Sequence, residues 1–452
     1  MQISIITLQD IKQAKRFDAE YFKPEYLNDD FNLEKKGFFT LSEIADVKGG
    51  KRLPLWESFS NEGVPYIRAE DIKNDFVQYE NVPRISFELH EKLKNYQTKK
   101  NDVLLTIVGS VGAVGFVQFD IDKCNLTENA AKITNTKNIN PFIIFVYMLS
   151  KYGQNQIHRE KVWTVQEKLA LERIRRFKIA KFDESFQLEI EKIVKEAYQK
   201  QFLSKQLYKE AEQLLLEELG LLDYKPKHTL TFTATKKEID QAKRYDAEYF
   251  QLKYKEIIKK IEEYEGWFNI VWNIFNWKKW VEVWSEAYTE EGKDFVRVSD
   301  FSKFGIENVS KKIDEKLFEK LKQEHQAKKW EILFTKDWTI GISYVLKEDL
   351  DWILSSAFLR LTLKEKYQDF EKEVLALIFN SIISKLQVEQ LSGWALIAHL
   401  KPSDFENLKI PLLKTEIQKQ ISQKIEQNHR LRKESKELLE QAKKIVEEEI
   451  EK

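Results

Sequence analysis

A single cysteine, Cys124, stands in 452 residues. No internal disulfide framework is available, and a reducing, cytoplasmic setting is expected. Proline is scarce at 8 and glycine at 14, the latter about half the usual share of a globular chain. No apolar run approaches the ~20 residues that span a bilayer. The opening MQISIITLQDIKQAKRF lacks the basic-then-apolar plan of a secretory leader. An excess of one charge is missing too, since 74 Lys and Arg balance 74 Asp and Glu. Net charge therefore gives no support for a nucleic-acid partner, and it excludes none, because DNA responds to local patches.

Motifs for chemistry are also missing. The six histidines, His90, His158, His228, His325, His399 and His429, form no HExxH and no Cys/His pairing, so no metal site is expected. The one glycine-rich loop, GSVGAVG (109–115), runs into GFVQF. That reads as another strand, whereas a phosphate cradle needs a helix there. No GxxxxGK[ST] exists. The nearest approach to a methyltransferase amine-binding motif is Asn140-Pro141-Phe142, which has one proline and reads as a helix start. An acidic-x-Lys triplet at Glu189, Glu191 and Lys192 lies in a helical pattern, where i,i+3 and i,i+4 ion pairs are the simpler account. The chain is read as non-catalytic, with no cofactor.

What is present is repetition. DIKQAKRFDAEYF (10–22) and EIDQAKRYDAEYF (238–250) share ten of 13 positions. The correspondence continues in order. GVPYIRAEDI (63–72) answers GKDFVRVSDF (292–301), and KKNDVLLTIVGSVG (99–112) answers KKWEILFTKDWTIG (328–341). LTENAAKI (126–133) answers LSSAFLRL (354–361), and FKIA (177–180) answers LKIP (408–411).

Each copy ends in a helical stripe: Phe186, Ile190, Ile193, Ala197, Leu207, Ala211 and Leu214, then Ile417, Ile421, Ile425, Leu431, Leu438, Ala442 and Ile445. One such stripe alone fits a helix lying on a domain core. Two at equivalent points of a duplication favour helices packed along a shared seam, each a rod of roughly 55 Å. Gly220 is a natural cap for the first rod. The intervening sequences mix short strands (VPYIRA, DVLLTIVG, GFVQF, FVRVS, EILFT, ISYVL) with helices (IIFVYMLSKYGQNQIHREKV and EVLALIFNSIISKL). The expected class is α+β with small, mainly antiparallel sheets. Six segments follow: a lead-in (1–36), a first globular domain (37–182), a central helix (183–220), a linker and second lead-in (221–263), a second globular domain (264–413) and a C-terminal helix (414–452).

A duplicated variable domain plus long helix, each half opened by RFDAEYF or RYDAEYF and carrying KKNDVLLT or KKWEILFT, resembles the specificity subunits of Type I restriction–modification systems. The resemblance covers nearly the whole chain. It implies two target-recognition domains, each reading half of a bipartite site on double-stranded DNA. They would be joined by two long antiparallel, coiled-coil-like helices with pseudo-two-fold symmetry. It also implies two docked methyltransferase subunits, with motor-nuclease subunits added, or a methylation-only complex without them. Repeats alike in frame but different in loops imply an asymmetric target. A rival of another class is a coiled-coil scaffold that binds proteins and no DNA.

Candidate DNA contacts are Lys48, Lys51, Arg52 and Arg68 in the first half, and Lys278, Lys279, Arg297 and Lys336 in the second. Arg68 and Arg297 are equivalent, and their role is either base reading or pairing with Asp71 and Asp300. Eleven tryptophans against so few glycines are unusual. Trp338 stands opposite Gly109, and Trp163 opposite Trp394. Trp272, Trp277, Trp280 and Trp284 crowd one polar segment at turn-like points. Two accounts are open: aromatics that stack on bases or fill the core, or glycines encoded by UGA and written here as tryptophan.

Overall fold

The computed structural model describes residues 4–77, 79, 82–117, 124–161, 167–279, 283, 285–307, 309–392 and 399–452. The six segments resolve into two compact units. One comprises residues 1–201 with 432–452, and the other residues 202–431.

The first unit is built on a five-stranded sheet. Its strands are β1 (Asp46–Gly49), β2 (Asp75–Phe76), β3 (Val103–Thr106), β4 (Val114–Phe116) and β5 (Ala130–Thr134), in the order β1-β5-β3-β4-β2. Every neighbour pairs antiparallel except β2 with β4. Strand β3 is buried on both faces, which explains why VLLT reads as a continuous apolar run rather than an alternating one. A smaller sheet joins Arg84–Ile85, Val64–Ile67, Cys124–Leu126 and Gln97–Thr98.

Two helices follow, α1 (Pro141–Leu149) and α2 (Lys151–Glu160), where the sequence pattern predicts one. Asn140 caps α1 by accepting from the Phe142 amide, with Pro141 at its first turn. The break falls at Ser150, which is extended (φ −68, ψ 165). Its Oγ donates at 2.6 Å to the Tyr147 carbonyl, which also accepts from the Ser150 amide at 3.1 Å, so the hydroxyl adds a second donor at the helix end.

The second unit repeats this plan. Its main sheet orders β6 (Phe275–Lys279), β9 (Phe358–Leu363), β7 (Ile332–Thr335) and β8 (Ser343–Val345) as β6-β9-β7-β8, antiparallel throughout. The helical run again breaks at a serine. Ser381 divides α4 (Lys372–Asn380) from α5 (Ile382–Ser392), and its Oγ donates to the Ile378 carbonyl at 2.7 Å. The two axes differ by 54°. Among the described residues no single helix is long and apolar enough to cross a membrane.

The lead-ins are alike to the level of single bonds. Thr7 and Thr235 each form a capping box, over Leu8–Ala14 and Lys236–Ala242, and both helices stop at a lysine in the left-handed region, Lys15 and Lys243. The Arg16–Asp18 and Arg244–Asp246 pairs are each 2.6 Å.

Two long helices, α3 (Glu184–Glu218, 35 residues) and α6 (Thr415–Glu451, 37 residues), are each divided between the units. Within the first unit the Ser435 hydroxyl donates to the Ala197 carbonyl at 2.7 Å, and Lys200 pairs with Glu434 at 2.8 Å. Within the second, the Asn428 amide donates to the Ser204 carbonyl and Lys424 pairs with Glu210, both at 2.6 Å. In each unit the pairing runs antiparallel. The buried stripe is slightly displaced from the one the sequence suggests. Val194, Leu215, Leu439 and Val446 are buried, whereas their neighbours Ile193, Leu214, Leu438 and Ile445 lie at the margin. Adjacent apolar residues at both phases left that choice to packing.

The first core collects Ile190, Val194 and Ala197 from α3 with Leu439, Ala442, Val446 and Ile450 from α6. Ile190→Ala and Leu439→Ala should each lower stability by about 3 kcal/mol, read as an earlier urea transition of the first unit. An unshifted transition in both variants would contradict this packing.

Candidate nucleic-acid interface

In the first unit the candidate cations gather around the segment Leu126–Ala130. The Lys51 amide donates to the Leu126 carbonyl (2.8 Å), and the Thr127 amide donates to the Ile67 carbonyl (3.0 Å). These bonds draw residues 51–52 and 67–68 to the same segment. Lys51 is exposed, its carbonyl accepts from the Tyr66 hydroxyl at 2.6 Å, and its ammonium lies 6.0 Å from the Tyr96 ring. Arg52 is exposed and donates to Glu128 at 2.6 Å. That bond holds the guanidinium above its ordinary pKa and, against burial, brings Glu128 below its own.

Arg68 plays a local structural part. Its amide and guanidinium both donate to Asp71, at 2.8 and 3.1 Å, and it also pairs with Glu70. The Asp71 bond raises the Arg68 pKa. Arg297 makes the matching bonds in the second unit, with amide and guanidinium on Asp300 and a further bond to Ser310 at 2.9 Å. The two arginines thus close equivalent short turns, Ala69–Asp71 and Val298–Asp300.

Lys48 is exposed on β1, 3.1 Å from Asp46, and sits directly across from Lys132 of β5. Lys278 is exposed on β6 and sits across from Arg360 of β9. Lys279 follows it on β6, and its side chain lies outside the described residues. Lys336 differs from the others. It is buried, pairs with Asp337 through its ammonium, and lends both backbone groups to neighbouring segments.

Two residues that were not singled out in the sequence anchor both sheets. Lys132 is buried and its ammonium donates to the Gln97 carbonyl. Burial lowers its pKa against the opposing pull of Asp102, and Lys48 and Lys99 lower it further. Arg360, 8% exposed, makes a bidentate pair with Glu331 at 2.5 and 2.6 Å. Asp102 and Glu331 are equivalent: each carboxylate also accepts from a backbone amide three residues earlier, that of Lys99 (2.9 Å) or Lys328 (3.0 Å). The signal was available, since Lys132 and Arg360 align within LTENAAKI and LSSAFLRL.

The remaining chemistry is sparse. Burial pushes the Cys124 thiol up to about 12, so it is no nucleophile at neutral pH. Among the described residues no group of three or more His, Cys, Asp or Glu is placed to hold a metal ion.

A repeated α+β unit presenting basic residues from equivalent strands is the class this geometry defines. Residues 33–213 and 274–442 match the Type I restriction modification DNA specificity domain, and the chain belongs to that family. A 106-residue stretch is 32% identical to the specificity subunit of the Type I restriction enzyme EcoBI of Escherichia coli. It covers 23% of this chain and 21% of that relative, so the chain spans about a fifth of the curated relative it matches. Among solved structures, the S subunit of a Type I restriction-modification system from M. genitalium aligns with a TM-score of 0.40 and 14% identity, covering 92% of this chain and 95% of that one. The HsdS subunit from Thermoanaerobacter tengcongensis gives 0.29 and 13%, covering 92% and 96%.

Arg360→Met should destabilise the second unit by about 3–5 kcal/mol by leaving Glu331 buried and unpaired, and adding Glu331→Leu should recover most of that loss. Thermal unfolding of both variants tests it. Equal stability of the single variant and the parent would contradict the assigned pair.

Proposed function

We propose that this chain is the non-catalytic DNA-recognition subunit of a cytoplasmic Type I restriction–modification complex, reading a bipartite, asymmetric site through its two units. The observation that carries this reading is the double match to the specificity domain, over residues 33–213 and 274–442. The internal repeat supports it: the scaffold bonds recur while the exposed residues differ. Arg68 adds Glu70 to its aspartate, for example, whereas its counterpart Arg297 adds Ser310. Units alike in frame and unlike at the surface suit two different half-sites.

Lys48, Lys51 and Arg52, with Lys278 and Lys279, are the proposed phosphate and base contacts. Arg68 and Arg297 serve the surface by holding its turns, with one face left to approach DNA. Lys336 is assigned the same kind of supporting role, through Asp337. The long helices act as an antiparallel coiled-coil spacer.

Two methyltransferase subunits and the motor-nuclease subunits complete the proposed complex. The lead-ins favour two equal docking points. Phe17 answers Tyr245 at one of the three positions that differ, an aromatic in both copies, and neither fills a core, being 88% and 87% exposed. An aromatic kept exposed in both copies suits a shared partner.

The test uses the full-length chain with the subunits that co-purify from its source cells. Binding to duplex DNA is titrated over a salt series. Affinity should fall linearly in log–log form. Lys48→Ala, Lys51→Ala and Arg52→Ala should each reduce the slope by roughly 0.9, the share of one neutralised phosphate. Phe17→Ala with Tyr245→Ala should lose the co-purifying subunits. Salt-independent or absent DNA binding by the intact assembly would favour the protein-scaffold reading.

A further inference from the structure

We infer that tryptophans of this chain, including Trp267, Trp330 and Trp338, are glycines in the protein its own cells make, each encoded by a UGA codon. The backbone carries the argument. Among the described residues nine non-glycine positions have left-handed φ, and three of them are tryptophan: Trp267 (φ 80), Trp330 (φ 70) and Trp338 (φ 67). The other six are asparagine or lysine. Asparagine tolerates this region through its short polar side chain, whereas a bulky aromatic there is an outlier.

The duplication supplies an internal control at all three places. Strand Phe38–Thr40 pairs with Lys178–Ala180 as Phe268–Ile270 pairs with Lys409–Pro411, so Trp267 stands where the first unit has Gly37, φ 79. Trp338 stands where it has Gly109, φ 82. Trp330 answers Asn101, φ 69. The equivalence at Trp330 extends to its bond, since the Asn101 amide donates to the Val117 carbonyl and the Trp330 amide to the Leu346 carbonyl. In each pair the backbone keeps the same left-handed turn, and only the residue type conflicts with it.

The tryptophan side chains give little back for that strain: Trp330 has the Lys329 and Lys347 ammoniums 5.0 and 5.4 Å from its ring, at a partly exposed site where such contacts are weak. Trp267 is 78% exposed, Trp338 68% and Trp330 48%. A stacking role would require each to meet a base, yet the same turns in the first unit work with glycine or asparagine.

A fourth position is argued from its counterpart Gly50, which is set by close approach rather than by φ. The Lys48/Lys132 and Lys278/Arg360 registers align Gly50 with Trp280. At Gly50 a Cβ would lie 2.0 Å from the Thr127 carbonyl oxygen and 2.3 Å from that of Leu126, so the first unit admits only glycine there. Trp280 itself lies outside the described residues, as do Trp163, Trp284 and Trp394.

Position also limits the idea. Trp272 sits in the helical turn Val271–Ile274 and Trp277 in β6, not in turns as their polar surroundings suggest. Trp277 and Trp352 pack against buried clusters. The inference therefore commits to 267, 280, 330 and 338.

The gene and the native protein test it together. UGA codons at these four positions, with glycine found there in peptides from source cells by mass spectrometry, are expected. UGG codons, or tryptophan in the native peptides, would overturn it. A second measurement reads the backbone requirement directly in the protein as written. Trp338→Gly should raise the unfolding midpoint, by on the order of 2 °C, and Trp338→Ala should not. An equal response to Gly and Ala would remove the left-handed constraint and with it the argument.

Discussion

The first unit depends on residues from the other end of the chain. Leu439, Ala442, Val446 and Ile450 lie in the same core as the sheet, α1 and the N-terminal half of α3, and the unit by packing is residues 1–201 with 432–452. Its apolar face is closed only when α6 has been made and has returned antiparallel to α3. The sequence duplicates a domain followed by a helix, but the folding unit is a domain plus a share of both helices. That exchange explains why each stripe stays apolar for its full length, beyond what one domain core would use.

On this frame the two units repeat their internal electrostatics and vary their surfaces. A buried cation meets a buried carboxylate in both: Lys132 near Asp102, and Arg360 on Glu331. An arginine closes the turn that follows the strand in both, on Asp71 and on Asp300. These pairs cost desolvation unless fully bonded, and the bidentate geometry at Arg360 meets that condition. They fix the strand facing Lys48 or Lys278, so the exposed cation is presented from a rigid sheet rather than a loop. The surrounding exposed residues are free to differ, as the proposed reading of two different half-sites would require.

Much of this was legible in the sequence. The repeat gave the two copies, the strands and the paired helices, because duplication fixes correspondence without any knowledge of packing. The breaks at Ser150 and Ser381 were not legible: the apolar pattern runs on through them, and the break shows only in where the serine hydroxyl bonds. The helix seam was read one residue out of phase at several positions, since neighbours such as Ile193 and Val194 are equally apolar. Among the candidate cations, residue type alone could not separate the exposed Lys48 and Lys278 from the buried Lys336, whose nearest carboxylate adjoins it in sequence. The tryptophans were a compositional oddity until φ values gave three of them a physical reason.

The central claim is that this chain directs modification of DNA at one split site. Genome-wide base-modification mapping in the source organism, with the gene intact and with it deleted, tests it most directly. The account predicts loss of methylation at a single bipartite, asymmetric motif and at no other. Unchanged methylation at every motif would contradict it, as would loss at a continuous palindromic motif.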